Sequence, residues 1–145
     1  MGVLNRTLAD PKKRPVVVAD AARIVEEQVA ATRGLRGMGL KAGFKAFQKI
    51  RPGIVPLAVD RLLPHFIPVI DPMWDEASAS GDPDAWFRAN DGKVADALLG
   101  VTDGLADRAE NKLMLRIYHG LRPQARDHVL AGVPRIPELI GRHVS

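Results

Sequence analysis

The stretch from Pro52 to Asp71 constrains the fold most, because it combines closely spaced prolines with a nearly continuous apolar run. Four of the eleven prolines of the chain lie between positions 52 and 68, and a fifth follows at Pro72. Proline lacks the N–H that the helix ladder needs, and it fits best in the first turn of a helix. The pattern therefore predicts short helices that restart near Pro52, near Pro64 and at Pro72, with kinks where a proline ring falls inside a helix, and this stretch is expected to form the core.

The same run does not have the character of a membrane-spanning segment. Asp60 and Arg61 interrupt it, and no uncharged stretch approaches the roughly 20 residues that are needed to cross a bilayer. The first 20 residues contain no apolar signal region followed by a cleavage site. Position 6 is arginine, whereas the myristoylation pattern needs serine or threonine there. We therefore expect a cytoplasmic protein.

The rest of the chain shows apolar residues at helical spacing and no credible strand. Asp20 is placed to cap a helix that ends before Gly34, and Asp71-Pro72 is placed to cap another. We predict an all-α fold, a single compact bundle of about seven or eight short helices, several of them started by proline. We expect one helical domain over residues 16–145, preceded by a polar lead over residues 1–15 that is at most partly ordered.

No pattern in the sequence indicates catalysis or a metal site. The chain has no cysteine, which excludes disulfides and thiolate ligands. Its four histidines lack ligand spacing, and we expect His65, which lies in the apolar run, in the core or at its edge. Asp96, Asp103 and Asp107 share one helical face, which is typical of a solvated surface. We therefore predict no catalytic, cofactor-binding or metal-binding residues and no cofactor, and no small-molecule substrate is evident.

A basic amphipathic helix over residues 35–51 is the candidate interaction surface. Between Glu27 and Asp60 the chain has six cations and no carboxylate. The candidate residues on this helix are Arg36, Lys41, Lys45, Lys49 and Arg51. A solvated helix face explains the same pattern without any function.

A complementary acidic segment follows the apolar run. From Asp71 to Asp84 the chain has five carboxylates and neither lysine nor arginine. The acidic segment can pair with the basic helix within one chain or across a homodimer. The first hypothesis is therefore a non-enzymatic protein-interaction module that self-associates or binds an unknown protein. The alternative is a peripheral protein that binds anionic membrane or nucleic acid through the basic helix.

Several segments resemble a family of small bacterial proteins of unknown function. The segments are GLRGMGLKAGFKAFQKIRPGIV, RLLPHFIPVIDP, ADALLGVTD and LRPQARDHVLAGVPRIPELI. The resemblance covers most of the chain from about Val16 onward and implies a single cytoplasmic helical domain. It assigns no activity and no site residue. Within it, Thr102-Asp103 has a local explanation, because both residue types readily form side-chain-to-backbone hydrogen bonds at helix ends.

Overall fold

A computed structural model describes residues 2–32, 34–50 and 52–144, apart from the side chains of Leu35, Arg36 and Ile50. In these residues the chain forms eight α-helices and no strand, and 86% of it is helical. The helices are α1 (Val3–Ala9), α2 (Arg14–Ala31), α3 (Gly34–Ile50), α4 (Ile54–Ala79), α5 (Pro83–Ala89), α6 (Asp91–Ala106), α7 (Lys112–Gly132) and α8 (Arg135–His143). The predicted all-α fold is confirmed.

Helix α4 continues through three prolines instead of restarting at them. Pro64, Pro68 and Pro72 all lie inside its 26 residues, so the predicted restarts at Pro64 and Pro72 are wrong. The predicted start near Pro52 is close to the observed one, because the helix begins after a turn at Gly53, whose φ is 75°. The three prolines are four residues apart, which places the missing backbone bonds on one face of the helix.

Arg14 offsets one of these missing bonds. The carbonyl of Asp60 lies four residues before Pro64, which has no N–H to donate to it. The Nη2 of Arg14 donates to this carbonyl over 2.9 Å, and its Nε donates to the Asp60 carboxylate over 2.8 Å. A side chain from α2 therefore takes the place of the absent backbone donor and joins α2 to α4.

Asp71 caps a helix, but not the helix that follows it in sequence. It lies inside α4, is buried, and accepts hydrogen bonds from the backbone N–H groups of Leu4, over 3.1 Å, and Asn5, over 3.4 Å. These are first-turn amides of α1, where a carboxylate is favoured. The carboxylate lies so close to the backbone that a Cβ at Gly2 would stand 2.1 Å from its Cγ. The predicted N-cap at Asp71-Pro72 is wrong.

Asp20 does not form its predicted N-cap either. Helix α2 begins at Arg14 with Pro15 in its first turn, so Asp20 lies within the helix and caps nothing. The earlier start buries Val17 and Val18, which would lie outside a helix that began at Asp20. Proline in the first turn and the burial of two valines together favour this longer helix.

Among the described residues, most buried apolar side chains form three clusters, and the first two share the partly buried Trp74 and Ile136 as neighbours. The first cluster joins α4, α5 and α6 with the end of α7, and contains Met73, Ala77, Phe87, Val94, Ala95 and Val133. The second joins α1, α2, α4 and α8, and contains Leu4, Leu8, Val17, Ile67 and Ile140. The third contains Ala22, Ile54 and Val55. Apolar side chains of α2, α4 and α8 border a central region between these helices, which none of the three clusters fills.

No single helix in the described part of the chain is long and apolar enough to cross a membrane. The length and hydropathy expected of a membrane-spanning segment are reached only when residues 37–49 and 54–79 are taken together, and these two segments are bent by 96° relative to each other.

Candidate functional site

The central region is a cavity of about 440 Å³ between α2, α4, α7 and α8, with α1 along one side. Its walls are almost entirely aliphatic. Helix α4 contributes Val59, Leu62, Leu63, Phe66, Ile67 and Ile70. Helix α2 contributes Val17, Ala21, Ile24, Val25 and Val29, and α8 contributes Ile136, Leu139 and Ile140. The cavity reaches the surface beside Val25, which is 39% exposed.

A cavity of this size is unusual in a packed interior. Natural cores contain few voids larger than a water molecule. This one is open to solvent beside Val25, so part of its apolar wall is in contact with water in the free protein. An apolar molecule that covers this wall would remove that contact.

A few polar side chains line the cavity, among them Thr7 and His143 as well as Gln28, His128 and Arg135. Gln28 donates from Nε2 to the carbonyl of Ala131 over 3.2 Å, and Arg135 reaches its Oε1 over 3.5 Å. Arg135 also pairs with Glu27 over 2.9 Å, and this hydrogen bond lowers the pKa of Glu27. His128 lines the same cavity, and its Nε2 is the one buried side-chain nitrogen or oxygen without a hydrogen-bond partner in the described residues.

Asp20 joins α2 to α8, the helix that forms one wall of the cavity. It accepts hydrogen bonds from Arg142, over 3.0 Å, and from His143 Nε2, over 2.8 Å, and it also pairs with Arg23. Burial alone would raise the pKa of Asp20, but the hydrogen bonds from His143, Arg23 and Arg142 outweigh it and hold the pKa well below its ordinary value of 3.8. Its side chain is only 13% exposed, so this pairing is protected from solvent.

The basic helix predicted over residues 35–51 corresponds to α3. Lys41, Lys45 and Lys49 are exposed on one face, and the described residues place no carboxylate within ion-pair distance of them. The side chain of Arg36 and the whole of Arg51 lie outside the described residues.

The opposite face of α3 is used by the fold. Phe44 and Phe47 pack against the third core cluster, and Gly43 lies against Leu121 of α7, where a Cβ would stand 2.8 Å from a leucine methyl carbon. The apolar face of α3 is therefore already covered by the protein.

The acidic segment of residues 71–84 is divided among other partners within the chain. Asp71 caps α1, and Asp82 caps α5 by accepting from the N–H of Ala85 over 3.1 Å. Glu76 lies 3.9 Å from Lys93. No ion pair between this segment and α3 occurs among the described residues, so the pairing predicted within one chain is not formed there.

The aspartates of α6 join α6 to α7. Asp103 accepts two hydrogen bonds from Arg122, over 2.8 and 3.0 Å, and a third from the hydroxyl of Tyr118. The bonds from Arg122 and Tyr118 lower the pKa of Asp103. Thr102 bonds the Leu99 carbonyl, as expected for a local contact, and also lies 2.9 Å from the Tyr118 hydroxyl. These contacts position two helices.

No group of three or more histidine and carboxylate residues in the described ranges is arranged to hold a metal ion. Asp96 pairs instead with Arg126 of α7 over 2.8 Å. His65, expected at the core, is exposed.

Sequence reasoning missed the cavity and His128. Apolar periodicity shows that a face is turned inward, but it does not show how far away the opposite wall lies. A partial signal was the breadth of the apolar surface of α4, which carries aliphatic residues around much of its circumference.

The sequence profile of one family, described as a family of unknown function (DUF6918), matches residues 4–144. No curated protein and no solved structure matches the chain. Inferences about activity therefore rest on the geometry of the chain itself.

Proposed function

We propose that this chain, which belongs to the DUF6918 family, is a cytoplasmic protein that binds one apolar small molecule in the cavity between α2, α4, α7 and α8. One observation carries the proposal, namely a cavity of about 440 Å³ with aliphatic walls and a few polar groups in its lining. Small-molecule sites are commonly clefts of about 300–1,000 Å³ with this composition.

The volume sets the size of the ligand. One water molecule occupies about 30 Å³ in the liquid and a methylene group is of similar size, so the cavity accepts roughly 15 non-hydrogen atoms. Each methylene that leaves water contributes about 0.8 kcal/mol, and association itself costs at least about 4 kcal/mol. A chain of about twelve carbons is therefore expected to gain about 6 kcal/mol at most, which corresponds to a dissociation constant of about 0.1 mM or weaker.

The test is a titration with 1-N-phenylnaphthylamine, a neutral probe that fluoresces in apolar surroundings, after extraction of any co-purified lipid. We expect saturable binding of one probe per chain, displacement by dodecanol, and no dependence on salt, because apolar contacts are not screened. Binding that does not saturate, or that is seen only under unfolding conditions, would contradict the proposal.

A second function is favoured by a different observation, the lysine face of α3. Lys41, Lys45 and Lys49 have no carboxylate partner among the described residues, while Asp75 and Asp84 of the acidic segment are exposed. Charges that are complementary but not paired within one chain can pair between two copies. We therefore also propose that the protein forms a homodimer in which α3 faces the acidic segment of a second copy.

Sedimentation velocity over a wide concentration range tests the dimer. The triple variant Lys41→Glu, Lys45→Glu, Lys49→Glu is expected to weaken association at least tenfold, and added salt is expected to weaken it in the wild type. The matched control is Lys12→Glu, Lys13→Glu, Lys112→Glu, which changes the net charge equally at exposed lysines elsewhere.

A wild type that stays monomeric throughout would contradict the dimer. Salt-sensitive binding of anionic vesicles or nucleic acid that only the α3 variant loses would assign the face to phosphate groups instead.

A further inference from the structure

The polar side chains of the cavity lining come from separate parts of the fold. Helices α1, α7 and α8 and the end of α2 contribute them, and in the described residues they are Thr7, Gln28, Thr32, His128, Arg135 and His143. The polar groups are therefore not gathered at one place, as they are in a site that binds a head group. Whether a ligand can use any of them depends on the bonds that each already makes.

The two threonines use their hydroxyl protons within the protein. Thr7 Oγ1 donates to the carbonyl of Val3 over 2.9 Å, and Thr32 Oγ1 donates to the carbonyl of Gln28 over 2.8 Å. Each bond reaches back four residues, which is a common local use of a threonine hydroxyl. A hydroxyl has only one proton to donate, so neither threonine offers a donor to a ligand.

The two groups that carry or can carry positive charge are balanced by carboxylates. The guanidinium of Arg135 donates to Glu27 over 2.9 Å and lies 3.5 Å from Glu138. The Nε2 of His143 lies 2.8 Å from the carboxylate of Asp20. An ionised head group would therefore find no uncompensated charge of either sign in the lining.

The remaining two polar side chains are also closed to a ligand. Gln28 donates to the carbonyl of Ala131 over 3.2 Å, and its side-chain oxygen lies 3.5 Å from Arg135. The Nε2 of His128 has no hydrogen-bond partner among the described residues, but surrounding protein atoms cover it completely. A molecule in the open part of the cavity does not reach that nitrogen.

A ligand in this cavity is thus left with apolar contacts alone. A polar or charged group that leaves water without gaining a partner loses free energy, and an ionised group loses the most. Building on the proposed function, we infer that the ligand is a neutral hydrocarbon that carries no polar head group. The cavity volume corresponds to roughly 15 carbons. The polar groups of the lining, each engaged or covered within the protein, then select against alcohols, amines and acids of the same skeleton.

Equilibrium dialysis tests the inference with four ligands that share a phenylpropyl skeleton and differ only in the terminal group. They are butylbenzene, 3-phenylpropan-1-ol, 3-phenylpropylammonium and 4-phenylbutanoate. We expect the wild type to bind butylbenzene at least about tenfold more tightly than the alcohol, and about a hundredfold more tightly than either ion. Equal affinity for the alcohol, or a preference for either ion, would contradict the inference.

The variants Thr7→Val and Thr32→Val test the lining itself, because each replaces a hydroxyl by a methyl group of similar size. Since both hydroxyls serve the protein, we expect each variant to bind all four ligands within about twofold of the wild type. A selective loss of alcohol binding in either variant would mean that the hydroxyl holds a head group, and the inference would be wrong.

Titration with 1-N-phenylnaphthylamine separates this inference from the function on which it rests. If the wild type binds this probe but does not prefer butylbenzene, the ligand class is wrong while the apolar site stands. If it binds neither the probe nor butylbenzene, the proposed function is wrong as well.

Discussion

Ala21→Phe is expected to abolish binding of the apolar probe without lowering the free energy of unfolding. Ala21 is 8% exposed and lines the cavity, so a phenyl ring at this position would extend into the space that the ligand takes. Burial of the ring would stabilise the free protein by up to about 2 kcal/mol. We expect the affinity for the probe to fall at least fiftyfold, measured by the same fluorescence titration, with stability measured by urea unfolding.

The neighbouring residue provides a matched control. Ala22 is 4% exposed and lies in the third core cluster beside Ile54 and Val55, and it is not part of the cavity lining. Ala22→Phe is expected to destabilise the protein by about 1–3 kcal/mol or more, because additional atoms in a packed core force neighbours out of their rotamers. Equal destabilisation by the two substitutions would mean that Ala21 faces a packed interior and that the cavity closes in solution.

Asp20→Asn is expected to lower the free energy of unfolding at neutral pH by about 2–3 kcal/mol. The carboxylate joins α2 to Arg142 and His143 of α8, and its loss removes the charge-assisted hydrogen bonds that hold the two helices together. Because α8 forms one wall of the cavity, probe affinity is expected to fall as well. Asp96→Asn is the control, since Asp96 is 61% exposed and pairs with one arginine, and we expect a change below about 0.5 kcal/mol.

The effect of Asp20→Asn has a defined dependence on pH. The folded-state pKa of Asp20 lies below its ordinary value of 3.8, so the carboxylate stabilises the fold fully above that value. As pH falls below 3.8 towards the folded-state pKa, this stabilisation is lost. The difference between wild type and variant is therefore expected to be constant above about pH 5 and to shrink in more acidic solution. A difference that grows as pH falls would contradict the assigned role.

The sequence predicts the helices well, because proline, capping residues and apolar spacing act locally. It predicts the length of α4 wrongly, because the compensation for its prolines comes from elsewhere in the fold. An internal proline costs about 3 kcal/mol within an isolated helix. In the fold, Arg14 donates to the carbonyl freed by Pro64. Helix α4 also buries apolar residues before and after this proline. Arg14 lies 46 residues before Asp60, and no local rule reveals that contact.

The two mistaken caps have the same origin. The sequence predicts that Asp20 and Asp71 cap the helices that follow them. Each carboxylate does accept hydrogen bonds in the fold. The partners are groups on α8 and α1, which lie far away in sequence. The residue type therefore predicts the chemistry correctly, whereas the partner depends on packing.

The candidate site was also predictable only in part. The exposure of Lys41, Lys45 and Lys49 was predictable, since charged residues at helical spacing form a solvated face. The cavity was not predictable, because it depends on the distance between walls contributed by helices far apart in sequence. His128 carried no local pattern that distinguished it from the other histidines.

The most direct test of the central claim is isothermal titration calorimetry of the wild-type protein with dodecanol at several temperatures. We predict one site per chain and a heat of binding that becomes more negative as temperature rises, which is the negative heat-capacity change expected when apolar surface is buried. Ala21→Phe, measured beside it, is predicted to give no binding heat. Absence of a saturable heat in the wild type, or equal binding by the variant, would contradict an apolar ligand site in this cavity.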